Sequence, residues 1–129
     1  MLAVPESGPT GSELIAISRR FNLLCQPMFV MTTFPGNAGM GPVLEHLQTH
    51  LEYWAEMERT KVMFAAGPAM PVDPSEPWSG HGMVIFRAPS FAVAKAIADA
   101  DPMHKAGARR YELGPWLLNH LVVQGETDA

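Results

Sequence analysis

The feature of this sequence that most constrains its fold is a helical repeat of apolar residues between Pro42 and Thr60. Apolar side chains recur every three or four positions, and glutamates fall on the opposite side. A helix with one apolar face needs a sheet or another helix to cover that face. The apolar positions are Leu44, Leu47, Leu51, Trp54 and Met57.

Four short segments with strand-forming composition surround this helix. Glycine and proline close them, as at Pro35-Gly36 and Gly67-Pro68, and this punctuation is typical of strands joined by turns. We expect loops over 35–41 and 71–80, and loops as long as the second often form functional lids or rims. The predicted strands are 28–34, 61–70, 81–87 and 109–121.

A second, alanine-rich helix is expected over 91–100, with Ser90 as its N-cap. Its predicted inner face is Val93, Ala96, Ile97 and Ala100. The resulting order, β-α-β-β-α-β, predicts an α+β, ferredoxin-like fold with a four-stranded antiparallel sheet and helices on one face. We expect a second copy of the chain to cover the other face, giving a homodimer in the form of a dimeric α/β-barrel.

Length and composition are consistent with one domain and limit its partners. We expect an N-terminal extension over 1–26 with a short helix starting at Ser12, a domain over 27–122 and a tail over 123–129. The net charge of -4 argues against nucleic acid. Cys25, the one cysteine, suits a reducing cytoplasm. No signal peptide or membrane span is expected.

Two residues are candidates for proton chemistry. His50 lies in the apolar arc of the first helix, where it is either a core histidine or a catalytic base. Asp101 precedes Pro102 and a short turn that Gly107 ends, so Asp101 is either an N-cap or a partner for His50. A carboxylate on one ring nitrogen fixes the histidine tautomer and leaves the other nitrogen as an acid or base.

Weaker candidates surround this pair. His46 and His50 have the i, i+4 spacing of metal ligands, but Leu47 stands where zinc proteases need Glu and no third ligand is near, so no metal is expected. No nucleotide or other cofactor motif is found, and none is expected. Four further residues are predicted either to shape an apolar pocket or simply to pack: Trp54, Trp78, His81 and Tyr111.

Three stretches, in order, resemble the YciI-like (YCII-related) family over residues 28–121. They are "HLEYWAEMERTKVMFAAGP", "ADADPMHKAG" and "RRYELGPW". The resemblance implies a dimeric ferredoxin-like fold and an active-site dyad at His50 and Asp101. Known activities of that family include removal of chloride from a chlorinated hydroxyhydroquinone, and its fold is similar to that of muconolactone isomerase.

Together these observations lead to two functional hypotheses. The first is a cofactor-independent lyase or isomerase, dehydrochlorinase-like or muconolactone-isomerase-like, acting on a small aromatic-derived or lactone-like metabolite through the His50–Asp101 dyad. The second is a non-catalytic ligand-binding or accessory module of the same fold. A compound panel separates them, because an enzyme consumes a compound whereas a binding module is only stabilised by it.

Overall fold

Residues 7–122, the part of the chain that the computed structural model describes, contain four strands and five helices. The predicted tail over 123–129 and the first six residues of the predicted extension lie outside the described residues. The elements are α1 (Gly11–Arg20), β1 (Gln26–Pro35), α2 (Met40–Glu45), α3 (Leu47–Arg59), β2 (Met63–Pro68), β3 (Gly82–Phe86), α4 (Phe91–Asp99), α5 (Pro102–Lys105) and β4 (Arg109–Leu118).

The chain divides into two compact units, the larger of which is Met28–Trp116. In the smaller unit, α1 begins at Gly11, one residue before Ser12, where the helix was predicted to start. The N-cap is Thr10, whose side chain accepts a hydrogen bond from the Glu13 amide at 3.1 Å. Within the same unit, Asn119 Nδ2 donates to Ser18 Oγ at 2.9 Å.

The four strands form one sheet in the order β2-β3-β1-β4. β3 pairs antiparallel with both neighbours, Met31 lying opposite Val84 in one pair and Met63 opposite Phe86 in the other. A bulge between Met63 and Ala65 shifts the second register. The predicted α+β fold with the order β-α-β-β-α-β is therefore confirmed, with additional helices around it.

One face of the sheet and helices α3 and α4 enclose the main core. Alternate residues of β1 and β3 point to the helices, as strand periodicity requires, and Trp54 of α3 covers them. The predicted inner face of α4 is right only in part, because Ile97 packs against the core but Val93 is exposed, while Ala94 and Ala98 are fully buried. Two alanines in successive turns let the helix lie close to the large rings of the sheet. The buried core is Phe29, Met31, Trp54, Val84, Phe86, Ala94 and Ala98.

The helix predicted over 42–60 is present, but as two helices rather than one. The helix is interrupted at His46 (φ -99°, ψ 10°), and α2 already begins at Met40, inside the predicted loop 35–41. The two pieces pack on different groups: Val43 of α2 contacts a second core with Met103 and Ala108, whereas Trp54 of α3 packs on the sheet. Within residues 7–122, no helix has both the length and the apolar character needed to cross a bilayer.

Much of the predicted apolar stripe of that helix stays accessible. Leu44 is 61%, Leu47 38% and Leu51 57% exposed, although their spacing predicts burial. The sheet face away from the helices is likewise apolar and only partly covered. It forms a groove of about 470 Å³ lined by Val30, Thr32, Met83, Ile85, Glu112, Leu113, Gly114, Pro115 and Trp116.

Replacing Gly36 by alanine is expected to destabilise the fold. A Cβ at Gly36 would lie 2.7 Å from the Gly107 carbonyl oxygen and 3.3 Å from that of Ala108. Both obstacles are backbone atoms, so Gly36→Ala should lower the free energy of unfolding by about 1–3 kcal/mol in thermal or denaturant melts. Gly41→Ala is the control, since a Cβ there meets nothing within 4 Å. Equal stability of the two variants would contradict the close approach at Gly36.

Candidate active site

Asp101 ends the connection after α4 and begins the next helix. Its Oδ1 accepts a hydrogen bond from the Met103 amide at 2.9 Å, and Pro102 occupies the first position of α5, where its missing N–H costs nothing. Helix α5 is followed by Gly107, whose φ of +71° lies in the left-handed region that glycine adopts without strain. The prediction of an Asp101 N-cap is confirmed.

The second oxygen of the same carboxylate binds two side chains of α3. Oδ2 accepts from His50 Nδ1 and from Trp54 Nε1, each at 2.7 Å. Asp101 is completely buried, so these contacts lie out of water. The two interpretations of Asp101 are therefore compatible, because one oxygen caps α5 while the other contacts His50.

The surroundings of Asp101 keep it ionised. Burial by itself raises the pKa of a carboxyl group, but here the hydrogen bonds from His50, Trp54 and the Met103 amide outweigh it, and the pKa of Asp101 lies below its usual value of 3.8. An ionised carboxylate can only accept hydrogen bonds. The proton between Asp101 and His50 is accordingly on Nδ1.

With that proton on Nδ1, the nitrogen of His50 that remains for other partners is Nε2. The His50 side chain is 18% exposed and lies in the wall of a cavity. Among the hydrogen bonds of residues 7–122, His50 takes part through its side chain only at Nδ1. Its Nε2 is thus free for a proton exchange with a bound molecule.

The cavity beside His50 has a volume of about 550 Å³, within the range of small-molecule sites. Its wall comes from all four strands, from α2, α3 and α5, and from the loop before β3, and it is mostly apolar. Trp54 and Trp78, two of the predicted pocket residues, belong to it. The lining residues are Thr33, Val43, Leu47, His50, Leu51, Trp54, Ala55, Glu58, Met63, Ala66, Gly67, Pro68, Met70, Trp78, Gly82, Met83, Val84, Met103 and Arg109.

His81 and Tyr111, the other two predicted pocket residues, lie outside this lining. The His81 side chain is exposed, and its contribution is the backbone carbonyl, which accepts from Trp78 Nε1 at 3.0 Å. Tyr111 does point to the helix side of the sheet, but its hydroxyl donates to Asp99 at the end of α4. Strand alternation correctly predicts the sheet face on which Tyr111 lies, but it does not predict the position of Tyr111 relative to the cavity.

Arg109 is a cavity residue that the sequence analysis missed. It is only 5% exposed, its Nε donates to Thr33 Oγ1 at 2.7 Å, and its Nη2 donates to the Gly80 carbonyl. The guanidinium carbon lies 5.6 Å from the centre of the Trp78 ring. The signal that could have found it is strand alternation, which puts one of the adjacent residues Arg109 and Arg110 inside.

A half-buried histidine, His104, completes the support of Arg109. His104 Nδ1 donates to the Ala98 carbonyl at 2.6 Å, so its Nε2 accepts from the Thr33 hydroxyl at 3.3 Å. Burial lowers the pKa of His104 below its usual value of 6.5. Thr33 therefore donates to a neutral histidine while it accepts from Arg109, and this chain of bonds holds the guanidinium in one orientation.

The described chain offers no third ligand for a metal site at His46 and His50. His46 lies at the junction of α2 and α3, and His50 Nδ1 is engaged with Asp101. Across residues 7–122, no group of three or more His, Cys, Asp and Glu side chains is placed to hold an ion.

Comparisons with known proteins agree with this architecture. Residues 28–117 match the family described as YCII-related domain. Among solved structures, the fold is similar to that of 5-chloro-2-hydroxyhydroquinone dehydrochlorinase from Burkholderia phenoliruptrix AC1100, in complex with 2,5-dihydroxybenzoquinone. The TM-score is 0.56 at 17% identity, and the match covers 68% of this chain and 92% of that one. No curated protein matches the sequence.

The buried Asp101 carboxylate should make stability depend on acid. Because its pKa is lower in the folded protein than its ordinary 3.8, the unfolded chain takes up the proton first. The stabilisation is complete above pH 3.8 and is lost as the pH falls through the folded-state pKa. Asp101→Asn should therefore be less stable at neutral pH and show a shallower loss of unfolding free energy below pH 3.8 than the wild type.

Asp99→Asn is the matched control for this experiment. Asp99 is two residues away, and its partners are Lys95, in an exposed ion pair of 2.8 Å, and the Tyr111 hydroxyl. High salt screens such an ion pair, so in high salt the acid slope of Asp99→Asn should lie closer to that of the wild type than the slope of Asp101→Asn does. An unchanged slope in Asp101→Asn would contradict the ionised state of Asp101.

Proposed function

The chain belongs to the YCII-related domain family, and on that basis we propose that it is a small-molecule lyase or isomerase whose acid–base group is His50. The observation that carries the proposal is the 2.7 Å hydrogen bond from His50 Nδ1 to the buried Asp101, at the wall of a 550 Å³ cavity. A histidine held in this way has its free nitrogen ready for proton transfer near neutral pH.

In this proposal His50 Nε2 removes a proton from a carbon or hydroxyl group of the bound molecule. The imidazole becomes an imidazolium, and the Asp101 carboxylate stabilises the new charge through Nδ1–H. Asp101 remains ionised throughout, because Trp54 and the Met103 amide keep donating to it. Its role is to orient His50 and to stabilise its cationic form.

The electron pair left by that proton determines which reaction follows. In an isomerase, the double bonds shift and His50 returns the proton to a different atom of the same molecule. In a lyase, the pair forms a new double bond while a leaving group, such as chloride, departs with the electrons of its own bond. Both reactions balance without an oxidant or reductant, so the proposal includes no cofactor.

The walls of the cavity favour a flat, largely apolar substrate. Trp54 and Trp78 offer aromatic surfaces, and aliphatic side chains of α3 and β2 supply much of the remainder. The similar solved structure is a dehydrochlorinase of a chlorinated hydroxyhydroquinone in complex with a benzoquinone. That likeness, at 17% identity, supports an aromatic-derived metabolite as the first class to test.

The proposal extends to the assembly. We propose that residues 27–122 act as the family domain and that a second copy covers the apolar groove on the sheet face opposite the helices. Trp116 and Met83 in this groove are 41% and 49% exposed. Burial of such side chains is the usual source of stability for a homodimer.

Substitution of His50 tests the catalytic role directly. A panel of chlorinated hydroxyquinols and unsaturated lactones is incubated with the protein, and chloride release and product formation are followed. His50→Gln should lower kcat by about 10²–10⁴ for any compound that the wild type consumes. His120→Gln, a change of the same type at an exposed histidine, should keep wild-type turnover. Full activity in His50→Gln refutes the proposal, and a panel that is only bound indicates the ligand-binding module instead.

Asp101→Asn separates catalytic orientation from capping. Asparagine is as good an N-cap as aspartate, so helix α5 should be retained, but the amide cannot stabilise an imidazolium as a carboxylate does. We expect kcat to fall by at least tenfold while KM changes little. Its circular dichroism should match that of the wild type, as a check on the fold. Unchanged kcat with a native spectrum would limit Asp101 to a structural role.

A further inference from the structure

Arg109 is a buried cation without a carboxylate partner in the described chain. Across residues 7–122, its hydrogen bonds go to the Thr33 hydroxyl and the Gly80 carbonyl, both neutral. The ion pairs in these residues do not include it. A charge that is 95% shielded from solvent is costly unless an opposite charge or strong hydrogen bonds offset the cost.

One nitrogen of this guanidinium remains available. Nε and Nη2 donate to protein oxygens, whereas Nη1 takes part in no hydrogen bond of residues 7–122. In the same residues, every fully buried polar side-chain atom has a partner. Nη1 is therefore not fully buried, and Arg109 is one of the residues that line the cavity of His50.

The other charges near the cavity form no ion pair with Arg109. The charge of Asp101 favours the Arg109 cation from beyond ion-pair distance, but its two oxygens already accept three hydrogen bonds. Glu58 is in the cavity wall but is exposed. The remaining ionisable group in the lining is His50 itself.

We propose that the cavity binds its substrate as a carboxylate, with the carboxylate on Nη1 of Arg109 and the reacting part of the molecule at His50 Nε2. The Thr33–His104 chain and the Gly80 carbonyl hold the guanidinium in place, and the Trp78 ring packs against it. Anchoring of the carboxylate by Arg109 orients the apolar ring of the substrate relative to His50. This inference names the substrate class of the proposed function and rests on it for the identity of the site.

The experiment compares benzoate with benzamide, its neutral analogue of the same shape. Calorimetric or NMR titration of the wild type should give a Kd for benzoate about tenfold to hundredfold below that for benzamide, as expected for a hydrogen-bonded charge pair. Arg109→Gln should remove this preference. Arg110→Gln, the same change at the exposed neighbouring residue, should retain it.

A measurement on the wild type covers the case in which Arg109→Gln fails to fold. In arginine-labelled protein, the Arg109 guanidinium resonances should shift on addition of benzoate and stay in place with benzamide. Equal affinity for the two compounds, no benzoate binding near its solubility limit, or a preference that survives in folded Arg109→Gln would each overturn the proposal.

The His50→Gln variant distinguishes a failure of the carboxylate proposal from a failure of the proposed catalytic function. His50→Gln should lose turnover yet keep the preference for benzoate, since its Arg109 is unchanged. If that variant keeps turnover while the wild type prefers benzoate, the catalytic proposal fails and the carboxylate site stands. If it loses turnover while the wild type shows no preference, the carboxylate site fails and the catalytic proposal stands.

Discussion

A single buried carboxylate, that of Asp101, connects the parts of the molecule from which the site is built. It accepts hydrogen bonds from the ring of His50, the indole of Trp54 and the amide of Met103, so α3 and α5 are joined through one side chain. A charge removed from water is tolerated only when such donors replace its hydration. The same three contacts that stabilise the carboxylate determine the tautomer of His50 and the side of the ring that faces the cavity.

Arg109, a second charged group of the cavity wall, has a comparable organisation. Its guanidinium is held by Thr33 and Gly80, and Thr33 is in turn bonded to the neutral His104. These contacts also join the start of β4 to the proline-rich loop before β3, because Gly80 and Trp78 belong to that loop. The cavity therefore has a histidine nitrogen and a cation in a wall that is otherwise largely apolar.

Sequence patterns gave correct predictions where the local conformation depends on residues that are close in the chain. The Asp101 cap, Pro102 at the first helical position and the Gly107 exit follow from short-range geometry, and they are present as predicted. The interruption at His46 and the buried face of α4 were not foreseen. Val43 and Trp54 belong to different core clusters, and alanines rather than Val93 face the sheet. Both features depend on which side chains lie opposite in the folded chain.

The sequence by itself determined the order of strands and helices, the family to which the chain belongs, and His50 and Asp101 as the pair to examine. Periodicity, turn chemistry and motif spacing are properties of the linear chain, so they can be recognised without coordinates. The tertiary structure alone decided that Asp101 is ionised and completely buried, that Arg109 rather than Tyr111 or His81 lines the cavity, and that Thr33 connects Arg109 to His104. Those facts depend on distances between residues as much as 76 positions apart, and such distances are set by packing.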